Sequence, residues 1–122
     1  MEQLLEIQTR LEVYEIGLET MDRYSFSNPS LQNTYEAFLR LDTQVRNEFI
    51  RQYEAGELSY AQMRDLIVNY NGYIYYTNKT FFYLRQREIT GDSKEIQRAI
   101  KNGYSSMRTY FVRVQGVINN AR

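Results

Sequence analysis

The sequence predicts an all-α protein: an up-down-up-down antiparallel four-helix bundle with long helices and short connections. Three observations predict it. Apolar residues recur at spacings of three and four along most of the chain. One Pro and six Gly in 122 residues are too few for disorder or for a loop-rich all-β fold. The turn-forming residues gather at three places, which divide the chain into four helices at about 2–24, 29–55, 60–89 and 93–121. Short links of this kind place consecutive helices antiparallel. The length suits one domain covering residues 1–122.

The first helix carries Leu4, Ile7, Leu11, Tyr14, Leu18 and Met21, an uninterrupted heptad spacing. It stops at Ser25-Phe26-Ser27-Asn28-Pro29, where Asn28 is placed to cap the next helix and Pro29 to occupy its first position. The second helix turns Leu31, Tyr35, Phe38, Leu41, Val45 and Phe49 inward and ends at Gly56. The third starts with a capping box, Ser59 with Gln62, flanked by a Leu58–Met63 hydrophobic staple. Its inward line reads Met63, Ile67, Tyr70, Ile74, Thr77, Phe81 and Leu84. The fourth is expected to be capped by Asp92 with Glu95, and to turn Ile96, Ile100, Gly103, Met107, Tyr110, Val114, Val117 and Ala121 inward. Gly103 on that apolar side is either a point of close helix approach or a small packing defect.

The stretch Leu66–Leu84, LIVNYNGYIYYTNKTFFYL, also reads locally as a β-hairpin around Asn71-Gly72. The helical line decides between the two. It passes through Asn71-Gly72 in register, whereas neither flank alternates with period two. A glycine inside a helix costs about 1 kcal/mol relative to Ala, and an isolated two-stranded ribbon is marginal.

Composition excludes much chemistry. With no Cys and no His, the usual zinc, haem, iron–sulfur and catalytic-triad sites cannot be assembled. No glycine-rich phosphate loop occurs, and no two carboxylates share an apolar face where burial would raise one pKa. The protein is therefore expected to have no enzymatic activity, no metal and no cofactor. The N-terminal MEQLLEIQTRLE carries acids where a secretion signal needs bases, so a cytoplasmic or virion-associated location is expected. The longest uncharged stretch, Leu66–Asn78, is too short and too polar to span a bilayer, and no membrane partner is expected. Asn78-Lys79-Thr80 matches a glycosylation acceptor but falls mid-helix with no secretion signal, as a chance match would.

Two features point to a partner. The third helix is apolar on more sides than a bundle can cover. Tyr75 and Phe82 lie about a third of a turn to one side of its inward line, Tyr76 and Tyr83 lie to the other, and Tyr73 lies between them and the line. Tyr73, Tyr75, Tyr76, Phe82 and Tyr83 are the candidate protein interface, since tyrosine buries a large ring while freezing few rotors. The alternative is that these rings fill the flanks of the core. The second feature is charge. Residues 1–61 hold eleven acids and five bases, residues 62–122 four acids and ten bases, so the neutral chain has an acidic half and a basic half. Lys94, Arg98, Lys101 and Arg108 form a basic stripe on the fourth helix, with Tyr104 beside it to stack on a base. Glu12, Glu15, Glu19 and Asp22 form a stripe on the first helix that could neutralise it within the bundle.

The leading expectation is a non-catalytic interaction or assembly protein. It is either a structural subunit of a larger assembly, such as a virion or phage component or homo-oligomer, or a small inhibitor or adaptor docking on a protein. Nucleic-acid binding through the basic stripe is the alternative.

Overall fold

The computed structural model describes residues 5–11 and 28–121, with side chains described at 5–11 and 32–121. Every regular element among them is an α-helix: α1 (5–11), α2 (Asn28–Glu54), α3 (Tyr60–Thr90) and α4 (Lys94–Ala121). The inward positions Leu4, Tyr14, Leu18 and Met21, the acidic stripe Glu12, Glu15, Glu19 and Asp22, and the side chains of Asn28, Pro29 and Leu31 lie outside the described residues.

The boundaries follow from local chemistry. α2 ends where Gly56 takes a positive φ of 79°, a conformation only glycine adopts without a Cβ penalty. The Glu57 N–H then turns back to the Gln52 carbonyl at 2.9 Å. At the start of α3 the capping box is formed. The Gln62 N–H donates to Ser59 Oγ at 3.1 Å, and the Ser59 N–H donates to Gln62 Oε1 at 2.9 Å. Leu58, just ahead of it, is buried. α3 ends at Gly91, again at positive φ, whose N–H reaches the Arg87 carbonyl. The expected cap of α4 is corrected by one residue. Ser93 Oγ, not the Asp92 carboxylate, accepts the Ile96 N–H, at 3.1 Å. Asp92 instead accepts from the Ser93 N–H and from Gln97 Nε2, because a cap bonds the N–H three residues on and the helix begins at Lys94.

α3 is one continuous helix through Asn71-Gly72, and no strand occurs among the described residues. Its most extensive contact is with α4, and α2 packs against it less extensively. Two glycines let α3 and α4 approach. The Tyr110 ring lies over Gly72, and the Thr80 side chain lies against Gly103; a Cβ at either glycine would enter the neighbouring side chain. Close approach is therefore the role of Gly103. On the other side, Tyr35 meets Phe81 edge-on at 4.9 Å between centroids, and Phe49 meets Tyr70 at 5.6 Å.

This packing rotates the inward face of α3 from its expected place. The buried residues are Leu66, Tyr70, Tyr73, Thr77, Thr80, Phe81 and Leu84, while Met63, Ile67 and Ile74 are only half-buried. α4 sits toward the Gly72–Thr80 side, where small groups admit it, so the β-branched line is displaced toward the edge. On α4 the same adjustment buries Tyr104, Phe111 and Ile118 together with Ile100, Gly103, Met107 and Val114, and leaves Ile96, Tyr110, Val117 and Ala121 half-buried. The two core threonines satisfy their hydroxyls within the helix: Thr77 donates to the Tyr73 carbonyl and Thr80 to the Tyr76 carbonyl, each at 2.7 Å.

Tyr70 is the costly member of the core. Its hydroxyl is buried with no partner in hydrogen-bonding geometry. Burial, and then the Asp42 carboxylate beside it, push its pKa far above the ordinary tyrosine range; the Arg46 guanidinium, 5.2 Å from the ring centroid, pulls the other way and loses. Tyr70→Phe removes a desolvated hydroxyl and is expected to hold or raise stability, by up to about 1 kcal/mol. Alkaline pH checks the assignment. The folded chain holds this proton more tightly than the unfolded chain. Its contribution is therefore complete below pH ~10, the ordinary tyrosine value, and falls as pH rises beyond it, by at most about 1.4 kcal/mol per unit. Urea denaturation above pH ~10 should show a shallower decline for Tyr70→Phe than for the parent; identical declines would remove Tyr70 as the cause.

Candidate functional site

The five aromatics expected to form an interface divide into three environments. Tyr73 is 0 % exposed, so its assignment to an interface is corrected: it is core. Its ring stacks on Tyr70 at 6.1 Å and 21°, and meets Phe111 of α4 at 6.1 Å. The reason is geometric, since Tyr73 lies on the side of α3 that the glycine contacts bring against α4.

Tyr76 and Tyr83 are half-buried and pack against the core. Tyr76 stacks on Tyr110 at 5.8 Å and 22°, and Arg113 covers the Tyr110 ring at 5.0 Å. One aromatic flank of α3 is thus occupied by α4 itself.

The other flank is open. Tyr75 is 57 % and Phe82 61 % exposed. The structure adds two residues that sequence reasoning did not select: Val68, 60 % exposed, and Ile89, 63 % exposed. The four stand seven residues apart on α3, and Ala61, also exposed, continues the spacing toward its start. Together they make a single apolar file along the back of the helix. The signal for Val68 and Ile89 was present as the seven-residue interval from Tyr75 and Phe82, but it was hidden beside the stronger inward pattern. Polar residues border the file on both sides: Arg64, Asn71, Asn78 and Arg85 on one, Asp65, Lys79 and Gln86 on the other. Three of these are tied down. Asn71 Oδ1 accepts from Arg46 Nη1 at 2.8 Å, Asn78 Oδ1 accepts from the Tyr35 hydroxyl at 3.2 Å, and Lys79 Nζ sits 5.3 Å from the Tyr75 centroid. Tyr75 and Phe82 are braced in turn by edge contacts to Tyr76 and Tyr83. The file is therefore a set of oriented rings on a rigid element, which lowers the entropy lost on docking.

The basic stripe is exposed at all four positions, Lys94, Arg98, Lys101 and Arg108, with the Arg108 guanidinium 5.8 Å from the Phe111 centroid. Tyr104, expected to stack on a base beside it, is buried in the core, so the stripe has no such ring. A third feature is a polar groove of about 320 Å³ between α1 and α2, floored by Ile7 and the buried Glu48, where Gln52 Nε2 donates to Glu48 Oε1 at 2.8 Å.

Among the described residues no three His, Cys, Asp or Glu side chains cluster as metal ligands, and no helix is long and apolar enough to cross a membrane. No protein-family model, curated protein or solved structure matches the chain.

Proposed function

We propose that the protein is a non-catalytic interaction or assembly module: an up-down-up-down antiparallel helical bundle that presents the back of α3 to another protein chain. The topology is supported by the order of contacts. Along α2 and α3, Tyr35 pairs with Phe81, Phe49 with Tyr70, and Tyr53 with Tyr60; along α3 and α4, Gly72 pairs with Tyr110 and Thr80 with Gly103. In each pair of helices, one numbering rises as the other falls.

The observation that carries the function is the Val68/Tyr75/Phe82/Ile89 file. A helix in a bundle normally shows water a polar back. Here the back carries four large apolar side chains in register, two of them aromatic, with Arg64, Arg85 and Lys79 at their borders. Aromatic anchors beside Arg are the composition in which binding energy concentrates. Either setting, a subunit of a larger assembly or a small inhibitor or adaptor, uses such a face in the same way.

A photoreactive benzoylphenylalanine at position 82 tests this. Irradiation in the cells that make the protein is expected to give a discrete cross-linked product. The same probe at Leu39, an exposed apolar position on α2, is expected to give none. No product at position 82, or equal products at both, overturns the reading.

A further inference from the structure

We infer that Tyr53 and Tyr60 are a modification site: a one-electron oxidant of phenols joins them through a carbon–carbon bond, as an intrachain dityrosine that ties the end of α2 to the start of α3. The site is separate from the proposed docking face and does not depend on it.

Composition makes tyrosine the target. The chain has twelve Tyr and no Cys, His or Trp, so the other side chains that readily give up single electrons are missing. Its four Met take up an oxygen atom instead. Coupling then asks two things of a tyrosine pair. Each phenol must reach the oxidant and lose its proton to water, and the two rings must be free to turn edge to edge.

Among the described residues four tyrosine pairs are in ring contact, and three do not qualify. Tyr70 and Tyr73 are enclosed in the core. Tyr76 and Tyr110 are half-buried and stacked face to face at 22°, with the Arg113 guanidinium over the Tyr110 ring. Tyr75 meets Tyr76 at 87°, edge against face, and Tyr76 cannot turn toward it while stacked on Tyr110.

Tyr53 and Tyr60 meet both needs. They are 39 % and 60 % exposed, with ring centroids 6.1 Å apart at 68°. Tyr53 stands in the last turn of α2 and Tyr60 is the first residue of α3. The backbone between them is fixed. The Gly56 N–H donates to the Tyr53 carbonyl at 3.0 Å, the Glu57 and Leu58 N–H groups both reach the Gln52 carbonyl, and the capping box pins Ser59. The buried Leu58 anchors the turn to the core. The rings are thus held as neighbours at the surface, and their coupling is an intramolecular step.

The chemistry balances. Each phenol gives one electron to the oxidant and its hydroxyl proton to water, leaving a neutral radical with spin on the ring carbons beside the oxygen. One such carbon of each ring forms the new bond. The hydrogen on each of these carbons then leaves as a proton while each oxygen regains one, which restores two phenols. The sum is a loss of two electrons and two protons. With a haem peroxidase as the oxidant, these reduce one hydrogen peroxide to two waters.

The intact protein, dilute and treated with a haem peroxidase and hydrogen peroxide, tests the inference. A product of single-chain mass with dityrosine fluorescence is expected. Trypsin cuts after Arg51 and Arg64, so residues 52–64 form one peptide that holds both tyrosines. That peptide is expected to be two hydrogens lighter than its unlinked form. It is also expected to stay in one piece after cleavage at Glu54 and Glu57, which splits the unlinked peptide. Tyr60→Phe is expected to lower the intrachain product at least about tenfold, since rings held as neighbours outpace rings that must diffuse together. Tyr75→Phe is expected to leave it unchanged. Both substitutions fall at exposed positions, so the helical signal is retained. A 52–64 peptide of unchanged mass, an intrachain product that survives Tyr60→Phe, or coupling confined to Tyr75, Tyr76 and Tyr110 or to pairs on different chains overturns the inference.

Discussion

Tyr73→Ala is expected to destabilise the protein by about 3–5 kcal/mol, the usual range for deleting a buried aromatic ring, whereas Tyr75→Ala is expected to stay within about 0.5 kcal/mol of the parent. The two tyrosines are two residues apart on one helix, and about 200° separate them around its axis. Tyr73 is fully enclosed between Tyr70 and Phe111, and alanine there leaves a cavity that rigid neighbours on α3 and α4 cannot close. Tyr75 meets Tyr76 edge-on, carries Lys79 Nζ 5.3 Å from its ring centroid, and is otherwise largely exposed. Urea denaturation under conditions where the chain is monomeric measures both. A loss at Tyr75 equal to that at Tyr73 would mean that the exposed file belongs to the core and the docking face is misplaced.

That contrast also marks how far the sequence could be read. The end of α2 and the start of α3 were legible because their chemistry is local: Gly56, and Ser59 with Gln62, each act within one turn of themselves. The all-helical class was legible because a spacing of three and four ran unbroken through Asn71-Gly72. The inward face of α3 was not, because two lines of that spacing share Tyr70, Thr77 and Leu84. One adds Ile67 and Ile74, the other Leu66, Tyr73 and Thr80. Hydrophobicity alone prefers the isoleucines. The packing prefers the second line, since Gly103 of α4 has room for a threonine and Gly72 of α3 has room for a tyrosine ring. Shape complementarity between two helices is not written in either one alone. The same holds for the aromatic flanks. The sequence placed Tyr75 and Phe82 on one side of α3 and Tyr76 and Tyr83 on the other, but which side α4 would occupy depended on those glycines. Tyr104 illustrates it again: it lies near the basic stripe in sequence, yet the approach of α3 to α4 draws it into the core.

Gly103→Ala is expected to cost about 2–3 kcal/mol, although the same change in an unconstrained helix gains up to about 1 kcal/mol. The new methyl group would enter the Thr80 hydroxyl and lie 3.3 Å from the Thr80 Cβ. Thr80 cannot move aside, being fully buried with its hydroxyl bonded to the Tyr76 carbonyl at 2.7 Å. The strain must then appear as separation of α3 from α4, the most extensive contact among the described helices. Gly116 supplies the control: it lies on the same helix with nothing within 4 Å of a new Cβ, and Gly116→Ala is expected to stabilise by about 0.5–1 kcal/mol. Thr80→Ala should relieve the clash, so that Gly103→Ala costs less in its presence than alone, with a coupling of about 1–2 kcal/mol. A Gly103→Ala protein as stable as Gly116→Ala, or no coupling to Thr80, would mean that α3 and α4 do not meet at this pair. The register that leaves Val68, Tyr75, Phe82 and Ile89 facing outward would fall with it, because the rotation of α3 that exposes its back is set where Thr80 seats against Gly103.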